Sequence, residues 1–252
     1  MNNIELELFP KKEMFRLTRN GVNPQYKNKS ESERKKLFYN NMQLCSGIEF
    51  TPTGFPQLQP YNGKFDCEYI SFPNRNKAIG TGQALHFFID DYKFYSIWKN
   101  LNSISYEFAK FDCILTPDFS CYIDVPDEFN RWSIFCTRYI GAHWQYNCGY
   151  DVIPTYCFGN VDSLKFALDG LPMHSVIAVC GVGIDWNPTI KALWIYALKR
   201  LEEEKEPSSI VVYGKQREVK GLHTPLFFIE DQITKYYRNN FKTINYGNST
   251  NL

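Results

Sequence analysis

"FDCILTPDFSCYIDVPDEFNRWSIFC", residues 111–136, is the stretch whose reading decides the fold. Cys113, Ile114 and Leu115 make an apolar run of strand length, Thr116 and Pro117 stop it, and Asp118 follows. Proline has no N–H to give to a ladder, so strand pairing ends there. From Pro126 onward the residues have the length and texture of a helix. A buried strand, a loop carrying a carboxylate and then a helix make one βα unit.

The pattern recurs on both sides. Strands are expected at "ALHFFID" (84–90), "CILTP" (113–117), "DVIPTYCF" (151–158), "SVIAVCGV" (175–182) and "SIVVYG" (209–214). Between them lie "YKFYSIWKNLNSISYEFAKF", "PDEFNRWSIFCTRYIGAHWQYNCG", "DSLKFALDG" and "NPTIKALWIYALKRLEEEKEP", all of helical length. In the third of these Asp162 and Ser163 are placed to cap and Gly170 to terminate. In the fourth Pro188 fits the first turn, and Ile190, Leu193, Trp194, Ala197, Leu198 and Leu201 share one face. Crossovers between parallel strands are right-handed, so all strands point the same way. The expected fold is α/β, with parallel βα units forming a partial or distorted (βα) barrel or an open doubly wound sheet. Residues 1–80, rich in Asn, Pro and Gly, read as an irregular N-terminal segment packed on the core, with one short strand at "CEYISF". Residues 81–216 form the βα core. Residues 217–252 form a C-terminal extension, where "GLHTPLFFIEDQITKYYRNNF" adds a strand or a short helix.

Composition narrows the function classes. With 44% hydrophobic and 22% charged residues in a chain of 252, a sizeable core can be buried and disorder is excluded. No apolar run approaches the roughly 20 residues that span a bilayer. The N-terminus lacks the basic-then-apolar pattern of a secretion signal, so a cytoplasmic location and no membrane partner are expected. None of the eight cysteines shows the two-residue spacing of zinc or redox motifs, and they read as buried free thiols. A net charge of +1 is not the footprint of a strongly basic nucleic-acid binder. Residues 1–40 nevertheless hold nine Lys or Arg against five Glu, and "RKK" at 34–36 could touch phosphate, although such a short basic helix is more often a solvated face.

Ligands of parallel α/β folds bind outside the carboxyl ends of the strands. The residues at those ends are Asp90 and Asp91, Asp118, Thr155 and Tyr156, Cys180 and Gly181, and Gly214 and Lys215. Asp90 and Asp91 are neighbours, which point to opposite sides of a strand, so at most one faces the crevice while one serves as a helix cap. Asp124 and Asp127 flank Pro126 and are better placed to cap the following helix, which leaves Asp118 free for chemistry. A pair of carboxylates could divide acid and base roles or hold Mg²⁺. Trp144, Gln145 and Tyr156 offer an aromatic platform with polar handles near the mouth, although a chain with 17% aromatic residues must place many of them in its core. The histidines, His86, His143, His174 and His223, read as structural. "GVGIDW" and "GTGQAL" complete no dinucleotide or phosphate-loop fingerprint, and no nucleophile elbow or paired-histidine zinc motif is present.

The segments "HFFIDDY", "LTPDFS", Trp144-Gln145, "VIPT" and "VYG", in this order between residues 84 and 214, resemble domain-of-unknown-function family 4417. His143, where Tyr is commoner, and "TYCFG", where Trp is frequent, depart from its pattern. The resemblance implies a product of a phage, plasmid or other mobile element in a bacterial host and no particular reaction. Joined to the carboxylates at the strand ends, it favours a protein that binds or acts on a nucleotide, nucleoside or nucleic-acid component. The catalytic candidates are Asp90, Asp91 and Asp118, and the ligand-binding candidates Trp144, Gln145, Thr155, Tyr156, Gly214 and Lys215. The alternatives are a factor that binds nucleic acid or a host protein through its basic N-terminal segment, and a defence antagonist that sequesters a nucleotide signal.

Overall fold

The computed structural model of the chain describes residues 47–231. Eight short strands follow in order: β1 (Glu68–Ser71), β2 (Gln83–His86), β3 (Cys113–Leu115), β4 (Val152–Ile153), β5 (Thr155–Tyr156), β6 (Val176–Cys180), β7 (Ser209–Tyr213) and β8 (Leu226–Ile229). Every pairing between these strands is parallel, in two sheets ordered β1-β2-β3-β4 and β5-β6-β7-β8. The fold is therefore α/β. Within each sheet the order runs one way, without the reversal that makes a doubly wound sheet.

One residue divides the two sheets. Pro154 lies between β4 and β5 and has no N–H to offer, so the ladder breaks there. The break is bridged by side chains. Thr155 N–H donates to Thr116 Oγ1 at 2.8 Å, and Thr155 Oγ1 donates to the Thr116 carbonyl at 2.8 Å. The expected single strand over 151–158 is thus two two-residue strands on one extended segment.

The helices are α1 (Ser96–Lys99), α2 (Leu101–Ser105), α3 (Asp127–Ala142), α4 (Leu164–Ala167) and α5 (Pro188–Lys205). The first crossover is thus broken into short turns. α3 runs on into a π-helical stretch, His143–Cys148, that ends at Gly149 with φ of 70°. In α5 Pro188 occupies the first turn as expected, and Asn187 caps it by accepting from Thr189 N–H at 2.8 Å. The caps expected for α4 do not form. Ser163 Oγ instead accepts from the backbone N–H of Gly159 and Asn160, and Asp162 pairs with Lys165. Nor does Asp124 or Asp127 cap α3 through its side chain; the helix starts after Pro126, with Asp127 and Glu128 in its first turn beside the positive dipole end.

Alternate residues of the strands go to opposite sides, and both sides are buried. Ala84, Leu115, Ile153, Ala178, Val211 and Tyr213 meet in one cluster between the strands. At its edge Phe227 of β8 touches Tyr69 of β1, with ring centroids 6.4 Å apart. Ile177, Val179, Ile210 and Val212 face outward against Trp194, Ala197, Leu198 and Leu201 of α5. Leu85, Ile114 and Val152 pack on Cys136, Tyr139 and Ile140 of α3. Each large apolar side chain so buried contributes about 1.5–3 kcal/mol relative to exposure. Helix α3 comes so close to the end of β3 that a Cβ on Gly141 would collide with Thr116 and Leu58. The seven described cysteines are all free thiols. Cys45, the basic segment 1–40 and the end of the C-terminal extension lie outside the described residues.

Candidate functional site

Asp118 sits two residues beyond the Thr116 that staples β3 to β5, on the wall of a crevice of about 690 Å³. Tyr122, Tyr156, Phe158, Ile190 and Trp194 give the crevice an apolar and aromatic lining. Asp118, Ser120 and Asp124 are among its polar groups. Cys157, just past β5, donates its thiol proton to Asp118 Oδ1 at 3.1 Å. Burial pushes the Asp118 carboxyl up to about 7, and the nearby charge of Asp91 pushes the same way against the opposing pull of the Cys157 hydrogen bond. A carboxyl with that value is neutral in about half of the molecules at neutral pH, so it can give or take a proton.

The loop that carries Asp118 is held from both sides. Asp91 accepts from Ser120 N–H through both oxygens, at 3.2 and 3.1 Å, and from Ser120 Oγ at 2.8 Å. Asn130 of α3 accepts from Tyr122 N–H and donates to the Tyr122 carbonyl, both at 2.9 Å. These bonds fix the backbone between Phe119 and Tyr122, so the carboxyl needs little reorganisation to meet a ligand.

Three thiols surround the carboxyl. Burial and the charge of Asp118 push Cys121 and Cys157 well above the ordinary thiol range, and Cys180 up to about 12. All three stay protonated at neutral pH, which removes thiolate nucleophiles from the chemistry of the crevice. Beneath them Arg138 of α3 is fully buried and donates to the carbonyls of Thr155, Ala167 and Asp169 at 2.7, 2.9 and 3.1 Å. Desolvation pulls its guanidinium down to about 10, so it remains a cation under the floor. The sequence signal for Arg138 is an arginine inside the otherwise uncharged run "WSIFCTRYIGAHW". Cys157 gives no such signal.

The other residues singled out in the sequence have diverse fates. Asp91 comes close to Asp118, whereas Asp90 is exposed and pairs with Lys93 at 2.7 Å. Tyr156 lines the crevice, and its hydroxyl is buried without a hydrogen-bond partner among the described residues. Trp144 is fully buried in the aromatic core, stacked on Phe87 and donating to Ser105 Oγ at 2.8 Å. Gln145 exchanges two hydrogen bonds with the Gln59 backbone, each 2.9 Å. Thr155 is spent on Thr116 and is fully buried. Gly214, with φ of 144°, packs against Gly181, where a Cβ would come within 3.0 Å of the Gly181 carbonyl carbon. Lys215 borders a second, smaller cavity next to the crevice. Asp124, expected as a cap, stands on the crevice wall. Buried His86 is held neutral, pulled down to about 3 by desolvation, and takes the Phe88 N–H on Nδ1. Among the described residues no three His, Cys, Asp or Glu side chains are grouped so as to hold a metal ion. No helix among them is long and apolar enough to cross a membrane.

A parallel α/β protein whose crevice opens at the carboxyl ends of its strands is the class that fold and site define. Within that class the chain belongs to the family described as Domain of unknown function (DUF4417), whose sequence profile matches residues 49–230. It is similar to the Gene 1 protein of Mycobacterium phage L5, 34% identical over 174 residues, which are 68% of this chain and 75% of the phage protein. It is also similar to the Gene 1 protein of Mycobacterium phage D29, 33% identical over 152 residues, or 60% of this chain and 56% of that protein. No solved structure matches the chain.

Proposed function

We propose that the crevice binds a planar, hydrogen-bonding heterocycle of the nucleobase class, as a nucleoside or nucleotide, and that Asp118 exchanges or shares a proton with it. One observation carries this reading: a carboxyl raised to about 7 lies among aromatic side chains in a crevice large enough for such a ligand. In its neutral form the group donates and accepts at once, which matches the paired donor and acceptor on the edge of a base. In its charged form it is a general base poised at the pH where it works. Tyr122 and Phe158 offer apolar rings on which a ligand ring packs.

The test is a panel of the four common ribonucleosides and their 5′-monophosphates, added to the wild-type chain and to Asp118→Asn. Calorimetric titration and chromatography of the recovered ligand are the readouts. Saturable binding of at least one compound, lost in Asp118→Asn and changing with a midpoint near pH 7, is the expected result. Absence of binding across the panel, or equal binding by the variant, sinks the reading. Turnover of the bound compound makes the protein an enzyme, and its recovery unchanged makes it a sequestering protein.

A further inference from the structure

Next to the crevice lies a cavity of about 140 Å³. The two share Val182 as a common wall. The smaller cavity is built by the loops after two neighbouring strands, Gly181 to Gly183 after β6 and Lys215 to Arg217 after β7. Gly183 has φ of 78° and Gly214 a φ of 144°, conformations that keep both loops tight. The Trp194 N–H bonds the Cys180 carbonyl at 2.7 Å, so α5 fixes the first loop.

Its charges are arranged unequally. Asp185 is taken up by Lys191 at 3.0 Å and by Arg217 Nη2 at 3.5 Å. Arg217 also donates to the Gly181 carbonyl at 3.0 Å and lies over the Trp194 ring, yet its Nη1 is buried with no hydrogen-bond partner among the described residues. Lys215 is exposed and forms no ion pair among them. Asp231 is the opposing carboxylate; it is buried, and close enough to Cys180 to raise that thiol. Two cations on the wall of a cavity of this size fit a small oxyanion, because a guanidinium and an ammonium both donate to phosphate oxygens.

We infer that this cavity is a phosphate-type anion subsite, so that the ligand of the neighbouring crevice is a phosphorylated nucleoside rather than a free base or nucleoside. The second clause rests on the crevice reading; the anion subsite itself does not. The probe is inorganic phosphate, followed by calorimetry and by broadening of its phosphorus resonance, on the full chain and on Lys215→Gln, Arg217→Gln and Asp118→Asn. Wild type and Asp118→Asn are expected to bind phosphate alike. Lys215→Gln is expected to bind roughly tenfold more weakly, the worth of one charge-assisted contact. Arg217→Gln should bind more weakly still. Arg217 also supports the loop, so Lys215→Gln, an exposed change, keeps the test valid if Arg217→Gln misfolds. No saturable phosphate binding, or unchanged binding by Lys215→Gln, overturns the subsite. Nucleoside binding without phosphate binding overturns the subsite alone, whereas phosphate binding without nucleoside binding overturns the crevice reading and leaves the subsite standing.

Discussion

Replacing Asp118 with Asn should stabilise the protein at alkaline pH, an unusual effect for a site residue. The carboxyl is raised from 3.8 to about 7 in the folded chain. The folded state therefore holds the proton more tightly than the unfolded state, and stability falls as pH rises through the window from 3.8 to about 7. Above that window the folded protein carries a desolvated carboxylate. At about 1.4 kcal/mol per pH unit the penalty is at most about 4 kcal/mol. Water in the crevice screens part of it, so about 2 kcal/mol is a working figure. Asn keeps an oxygen for the Cys157 thiol and never ionises. Thermal unfolding of both proteins from pH 5 to 9 is the assay. Near pH 5, a little over one unit into that window, roughly a third of the difference should already be present, because the unfolded carboxyl is ionised there while the folded one is still neutral. By pH 8 to 9 the variant should unfold about 4–8 °C above wild type, at roughly 2–4 °C per kcal/mol for a chain of this size. A gap that stays constant across that range would refute the idea that Asp118 is a desolvated carboxyl. The gain in stability should accompany the loss of ligand binding, the usual exchange at a strained site.

Asp91→Asn removes a negative charge from beside Asp118 and retains an acceptor for Ser120, so the midpoint of the pH-dependent stability should move down; a carboxyl titration by carbon NMR that shows no downward movement counts against coupling between the two. Thr155→Val deprives the Thr116 carbonyl of its donor in a fully buried place, and urea unfolding should show a loss of about 1–3 kcal/mol while ligand affinity is unchanged. A Thr155→Val protein of wild-type stability that fails to bind ligand would return Thr155 to the site.

Much of the fold was legible because burial on both faces of a parallel strand leaves a continuous apolar run. Strands expected at 113–117, 175–182 and 209–214 appear at Cys113–Leu115, Val176–Cys180 and Ser209–Tyr213, and α5 follows its apolar face and Pro188 closely. The first crossover was less legible, since its aromatic residues suit several short turns as well as one helix. Trp144-Gln145 read as a platform at the mouth because sequence shows residue type and not direction. In the folded chain Trp144 faces Phe87 and Phe108, residues supplied by a separate βα unit.

By itself the sequence determined that the chain is α/β with parallel strands, and that Asp118 lies just past the end of one of them. Those properties are local, set by apolar run length and by a proline that cannot extend the ladder. Only the tertiary structure decided that Asp91 rather than Asp90 stands beside Asp118, that Cys157 donates to it across 39 residues of chain, and that Arg138 lies buried near the same thiols. The protonation of a carboxyl depends on how much water it has lost and which charges have come near, and both are fixed by contacts distant in sequence.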